Sequence, residues 1–252
     1  MDKKEEKTDK GEKKKKKEKE KEREKKKEHE QKKEHEQKKH FFVIDNEKKH
    51  FVKSIDEKNQ FDYNLLHQEC ERKGRISIIS ELLSKGLDPN DKTMYGMSAL
   101  NIACRNNKKY EVIKMLLDSG ADVASKEGWG WTPLLYSSLF SSDLRVMRLL
   151  LNAGANVNAT NKDNTTTLML YSTNWHSTAG GLKLLLSAGA QLDAISISSD
   201  TVLHVALSYL RAPTAYLKIL IYNCKKIINR QNSNLETALH LIVQKFLTLD
   251  VD

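Results

Sequence analysis

The chain has 252 residues and a formal net charge of +9, and that charge is unevenly distributed. Residues 1–40 hold 19 Lys or Arg and 13 Asp or Glu, whereas the remaining 212 residues carry a net charge of only +3. Three cysteines do not make a disulfide framework, the first ten residues lack the apolar run of a secretory signal, and no apolar run approaches the roughly 18 residues of a spanning helix. These features exclude a secreted disulfide scaffold and a membrane-spanning protein, and they predict a cytoplasmic location.

Residues 1–40 form a low-complexity tail of Lys and Glu that includes five consecutive lysines, Lys13–Lys17. The tail lacks large apolar side chains, so it cannot offset its ordering entropy by packing. Glu–Lys pairs three or four residues apart favour a solvated single helix, and the missing apolar seam excludes a coiled coil. We expect a charged spacer that is either disordered or a single helix.

The alternative functions of this segment are an import signal at Lys13–Lys17, with a nuclear location, or a weak contact with RNA, DNA or an acidic membrane. The interleaved glutamates cancel much of the field that phosphates would feel, which argues against nucleic acid as the partner.

Apolar residues first become frequent at Phe41. Residues 41–62 are predicted to be a degenerate N-terminal capping segment.

A repeat follows, with two markers that recur in phase. The first marker is a leucine that usually follows a Ser or Thr by two residues, and it recurs every 34 to 36 residues, at Leu66, Leu100, Leu134, Leu168, Leu203 and Leu239. The second marker is a glycine after a Leu-Leu pair, at Gly86, Gly120, Gly154 and Gly189. Each unit therefore predicts a short helix capped by Ser or Thr, then a second apolar helix, then a glycine that ends that helix.

These markers resemble the ankyrin-repeat family, whose unit of about 33 residues carries Thr-Pro-Leu-His and ends in Gly-Ala-Asp-Val-Asn. The segments that begin at Thr132 and Gly154 match those two patterns most closely. The resemblance covers roughly residues 60–252. It implies an all-α solenoid of about five to six stacked helix-turn-helix units with short hairpin loops, and we place this repeat domain at residues 63–252, with the last repeat incomplete.

Two units depart from the family pattern. Repeat four has Thr167 where the family has proline, and repeat five has Asn223 or Cys224 where the family has the helix-ending glycine. Because asparagine tolerates the left-handed conformation, we expect the usual turn there at a higher cost.

No pattern in the sequence predicts catalysis. Cys70 and Cys104 stand where the family has alanine, so both are expected to fill the core. By resemblance, His67, His204 and His240 hydrogen-bond the turn backbone between repeats. The sequence lacks a glycine-rich phosphate loop, a zinc-ligand spacing and a serine elbow. We therefore expect no enzyme activity, no cofactor and no metal site.

The positions that the resemblance leaves free are the hairpin tips and the ends of the first helices, which together line a concave groove. The candidate partner-binding residues at these positions are Met94, Tyr95, Met97, Arg105, Trp129, Trp131, Leu139, Phe140, Trp175 and Tyr209. Exposed aromatic clusters mark interfaces, and Trp, Tyr and Arg dominate binding hot spots. Bracing of the hairpin by Trp131 and inward packing of Phe140 are the structural alternatives.

The sequence thus predicts a non-catalytic interaction or scaffold module that binds another protein in the groove around repeats two to four. An adaptor directed to the nucleus or to nucleic acid by the lysine-rich tail is the alternative. An enzyme inhibitor or regulatory subunit that uses the same groove stays open as a third reading. The sequence fixes neither the partner nor the oligomeric state.

Overall fold

A computed structural model describes residues 41–45, 48–52, 58–209 and 213–249 of the chain, with side chains for residues 58–209 and 213–244. The predictions for the tail, residues 1–40, lie outside the described residues. The chain divides into two units, residues 1–57 and residues 58–252.

In the first unit, β1 (Phe41–Asp45) pairs antiparallel with β2 (Lys48–Val52), with Phe41 opposite Val52. Aromatic and β-branched residues, which favour strands, dominate β1. The all-α prediction therefore holds for the described helices of the second unit and not for these two strands. A capping role for residues 41–62 stays a prediction.

The described part of the second unit contains eleven helices, two in each of repeats one to five and one in repeat six. They are α1 (Leu65–Glu71), α2 (Ile76–Ser84), α3 (Ala99–Arg105), α4 (Tyr110–Asp118), α5 (Pro133–Phe140), α6 (Leu144–Asn152), α7 (Thr167–Thr173), α8 (Ala179–Ser187), α9 (Val202–Tyr209), α10 (Thr214–Asn223) and α11 (Ala238–Leu249). Each odd-numbered helix packs against the next odd-numbered one, from α1 to α11, and the even-numbered helices form a second layer. This arrangement confirms the predicted solenoid of stacked helix-turn-helix units.

The first helices begin where the sequence predicts. The side chains of Asn64, Ser98, Thr132 and Thr166 each accept a hydrogen bond from a backbone N–H in the first helical turn, over 3.0–3.3 Å. Such caps satisfy donors that a helix would otherwise leave without partners. Repeat four therefore keeps its helix start although Thr167 replaces proline.

The second helices of repeats one to four end at the predicted glycines. Gly86, Gly120, Gly154 and Gly189 have φ between 86° and 93°, a conformation that residues with a side chain rarely adopt. Repeat five differs from the expectation. Its helix α10 ends at Asn223, and Cys224 follows with φ −95°, so the left-handed turn expected there was wrong. A run of turns after Cys224 leads into repeat six instead.

The marker leucines form the centre of the stack. Those of repeats one to five are at most 1% exposed because the following repeat covers them, whereas Leu239 in repeat six is 65% exposed. Each such burial stabilises the fold by roughly 1.5–3 kcal/mol. The core is therefore built by contact between neighbouring repeats, and a repeat at the end of the described stack leaves its apolar face open.

Candidate protein-binding surface

Each repeat opens with a five-residue hairpin, and the six hairpins lie in register. In each hairpin the first residue donates its backbone N–H to the carbonyl of the fifth, over 2.9–3.3 Å; the hairpins are residues 59–63, 93–97, 127–131, 161–165, 196–200 and 232–236. The second residue of each later hairpin donates its N–H to the carbonyl of the third residue of the hairpin before it, over 2.9–3.1 Å. These bonds place the third residues of successive hairpins side by side in one row.

The side chain of the first hairpin residue fixes the conformation of the tip. In repeat three, Oε1 of the buried Glu127 accepts from the backbone N–H groups of Trp129 and Trp131, at 2.9 Å each. Asn59, Asn161, Ser196 and Asn232 accept from the same two backbone positions of their own hairpins. None of these hydrogen bonds involves the side chain of the third hairpin residue.

Three aromatic side chains occupy that third position in repeats one to three. Phe61, Tyr95 and Trp129, here called the tip row, are 41%, 53% and 69% exposed. The rings of Phe61 and Tyr95 stack with centroids 6.4 Å apart, and the ammonium of Lys162 lies 5.5 Å from the centroid of the Trp129 ring. Exposed aromatic clusters of this kind mark binding surfaces.

Phe61 was missed by the sequence analysis, although a signal for it was present. Residues 61, 95 and 129 are 34 apart, which is the repeat length in this part of the chain. Aligning the hairpins as well as the leucines would have placed Phe61 beside Tyr95 and Trp129.

A second set of aromatic side chains lies at the ends of the first helices. Phe140, Trp175 and Tyr209, here called the helix-end row, belong to repeats three, four and five and are 43% to 75% exposed. The buried side chain of Asn174 donates hydrogen bonds of 2.9 Å to the carbonyls of Ser138 and Ser141. These bonds fasten the loop that carries Trp175 to the end of the helix that carries Phe140.

A groove of about 610 Å³ lies between the hairpins and the first helices of repeats three to five. Its apolar lining consists of Trp131, Leu139, Met169, Leu170, Ile197, Val205 and Tyr209. Its polar lining consists of Asn161, Asp163, Thr165, Thr173, Ser196, Ser198, Asp200 and Ser208. This groove shares repeats three and four with the expected groove around repeats two to four and extends into repeat five.

Trp131 and Leu139 are half-buried residues that also line the groove. The ring of Trp131 stacks on that of Tyr136 with centroids 5.0 Å apart, and Tyr136 stacks on Phe140 at 6.4 Å. Trp131 thus braces its hairpin, the structural alternative, and still offers an edge to the groove. The partly buried Phe140 remains 43% exposed at the end of this stack.

The structure separates the candidates in repeat two. Met94 and Tyr95 are exposed, whereas Met97 is buried, with its sulfur against the guanidinium of Arg105. The prediction that Met97 lies on the free surface was wrong. Arg105 is half-exposed, lies 3.7 Å from the sulfur of Met97, and pairs with Glu71 at 3.4 Å. Arg105 therefore bridges two neighbouring first helices.

The cysteines and histidines occupy structural positions. Cys70, Cys104 and Cys224 are buried, and burial raises the pKa of the Cys70 thiol to about 12. His67 and His204 accept a backbone hydrogen bond on Nδ1, and each donates from Nε2 to a carbonyl near the next hairpin, at 3.0 and 2.9 Å. These are the bonds between repeats that the resemblance implied. Burial also lowers the pKa of His67.

The described residues contain no group of three or more His, Cys, Asp or Glu side chains that could hold a metal ion. No helix in the described part of the chain is long and apolar enough to cross a membrane.

Comparison with known proteins gives one family. The family model described as ankyrin repeats (3 copies) matches residues 40–127 and residues 66–161. A search of curated proteins finds no match. The matched residues contain the tip row, the paired helices α1 to α6 and the His67 bond to the next turn. Residues 40–161 therefore contain ankyrin repeats, as the resemblance implied.

Proposed function

We propose that this chain captures a partner protein across the tip row, the groove and the helix-end row, and that it acts as a non-catalytic recognition module. Ankyrin repeats are protein-interaction modules in general, so the open question is which surface this chain uses. One observation carries the choice: three exposed aromatic side chains, Phe61, Tyr95 and Trp129, occupy equivalent positions in successive hairpins.

The fold does not require aromatic residues at the tips. Repeats four, five and six have Asp163, Ser198 and Asn234 at the same position, and their hairpins make the same backbone bonds. A contiguous row of exposed aromatic side chains is uncommon on a solvated surface and marks an interaction site. Trp and Tyr bury much surface on binding with few rotatable bonds to immobilise.

The two aromatic rows suggest the path of the partner. The tip row belongs to repeats one to three and the helix-end row to repeats three to five, with the groove between them. A partner segment that crosses the concave face obliquely would contact Trp129 first, then the edge of Trp131, then Phe140 or Tyr209. Apolar anchors at both ends of such a segment would be buried together.

Photo-crosslinking tests this path. Benzoylphenylalanine placed at Tyr95 or at Phe140 in the full chain should form an adduct with the same protein in a lysate of the native cells. Tyr222, an exposed tyrosine on the second helix α10, is the matched control and should not yield that adduct. The adduct at Phe140 should disappear when Trp129 is changed to alanine. The same adduct from all three positions, or none from Tyr95 and Phe140, would overturn the proposal.

A further inference from the structure

The lining of the groove is negatively charged, unlike the two aromatic rows. Of the described residues that line it, only Asp163 and Asp200 are charged, and both are acidic. Asp163 is exposed, and its carboxylate has no hydrogen-bond or ion-pair partner among the described residues. Asp200 is half-buried and accepts one hydrogen bond, 3.0 Å, from the amide of Asn232. Both carboxylates therefore retain acceptor capacity towards the groove.

The backbone holds these two carboxylates on adjacent hairpins. The N–H of Ile197 donates to the carbonyl of Asp163 over 3.0 Å, and the hairpin that contains Ile197 ends at Asp200. A cleft with charges of one sign and apolar walls concentrates the field inside it. A cation that enters the groove would be attracted by both carboxylates, whereas an acidic segment would be repelled.

The walls of the groove suit a long basic side chain. The partly exposed side chains of Leu139 and Val205 provide apolar surface along which an aliphatic stem can lie. Trp131 and Tyr209 provide aromatic rings near the same space, and such rings attract a guanidinium or ammonium group. We infer that the partner segment places a lysine or arginine side chain in this groove, with its charged head at Asp163 and Asp200 and apolar residues on either side. This inference rests on the proposed function, because the apolar flanks are assigned to the two aromatic rows.

The lysine-rich tail of the chain itself is the other source of cations. Residues 1–40 contain 18 lysines and one arginine but no Leu, Ile, Val, Phe, Tyr or Trp. The tail therefore supplies the charge without the apolar anchors that the two rows require. A separate protein segment fits the whole surface better.

Selection from a displayed library of random 12-residue peptides on the full chain, at physiological salt, tests the inference. Enriched peptides should contain Lys or Arg flanked by aromatic or aliphatic residues. A selected peptide should bind about tenfold or more weakly to the double variant Asp163→Asn and Asp200→Asn, because charge-assisted hydrogen bonds are lost. Glu111→Gln, at an exposed acid on the second helix α4, is the matched control and should leave binding unchanged.

The other outcomes separate the two claims. Enriched peptides without Lys or Arg that still depend on Trp129 would overturn the basic side chain and leave the proposed function intact. Failure to enrich any peptide, or binding that ignores Trp129→Ala, would overturn the proposed function itself. A synthetic peptide of residues 12–27 is the third probe. If it bound as tightly as the selected peptides and lost affinity in the double variant, the occupant would be the chain's own tail and not a partner.

Discussion

The hairpin tips of repeats one to three and those of repeats four to six share one backbone but carry different side chains. Both halves make the same bonds within each hairpin and between neighbouring hairpins. The first half presents Phe61, Tyr95 and Trp129 at the third position, where the second half has only polar residues. The shared backbone bonds hold the hairpin, whereas the side chain at the third position is free to bind a partner. We therefore expect substitutions at the shared positions to lower the free energy of unfolding strongly and substitutions in the tip row to change it little.

Substitutions in the core that the repeats share should have the largest effect on stability. Leu134→Ala should lower the free energy of unfolding by about 2–5 kcal/mol, because it leaves a cavity in a fully covered site. Leu239→Ala changes the same repeat position in repeat six, where the side chain is exposed, and should cost less than about 1 kcal/mol. Urea unfolding followed by circular dichroism measures both variants. Equal losses would show that position in the repeat, and not coverage by the next repeat, sets the cost.

The first hairpin residue should give the next largest effect. Glu127→Ala removes the acceptor of two backbone N–H groups and should lower the free energy of unfolding by about 1–3 kcal/mol. Glu127→Asn should lose less, since asparagine accepts from the same two positions in repeats one, four and six. Urea unfolding of the two variants beside the wild type gives the comparison. A Glu127→Ala chain as stable as the wild type would contradict the assigned role.

A smaller effect should depend on pH. Burial lowers the pKa of His67 in the folded chain, so the unfolded chain binds a proton more readily. The stability that neutral His67 contributes is complete above its ordinary pKa of 6.5 and is lost as the pH falls below that value. His67→Asn should remove this pH dependence, because asparagine does not titrate. It should keep the hydrogen bonds, since Asn101 makes the equivalent bonds in repeat two.

The measurement is the free energy of unfolding of both chains between about pH 8 and about pH 5. The wild type should lose more stability than His67→Asn over this range. Because the other histidines are present in both chains, their contributions cancel in the difference. Parallel pH profiles would show that His67 does not couple protonation to folding.

The sequence predicted the solenoid because its two markers report on local chemistry. Thr132 and Thr166 cap helices through bonds within four residues, and Gly86 ends a helix through its own backbone freedom. The roles of His67 and His204 followed from the family resemblance and are confirmed by their bonds.

The surface was harder to predict, because contacts between repeats decide which way a hairpin residue points. Met97 and Trp131 both occupy the fifth hairpin position, yet Met97 is buried and Trp131 is half-buried. The role of Glu127 depends on hairpin geometry, which leucine spacing does not reveal. The groove at repeats three to five depends on side-chain packing, which the sequence period does not reveal.

The central claim is that the tip row serves binding and not folding, and Trp129→Ala tests it most directly. The free energy of unfolding of this variant should lie within about 0.5 kcal/mol of the wild type, as for other exposed side chains. The photo-adduct formed from benzoylphenylalanine at position 140 should be lost in the same variant. A stable chain that no longer forms the adduct is the predicted result. A chain that loses stability by several times that margin, or that keeps the adduct, would contradict the account.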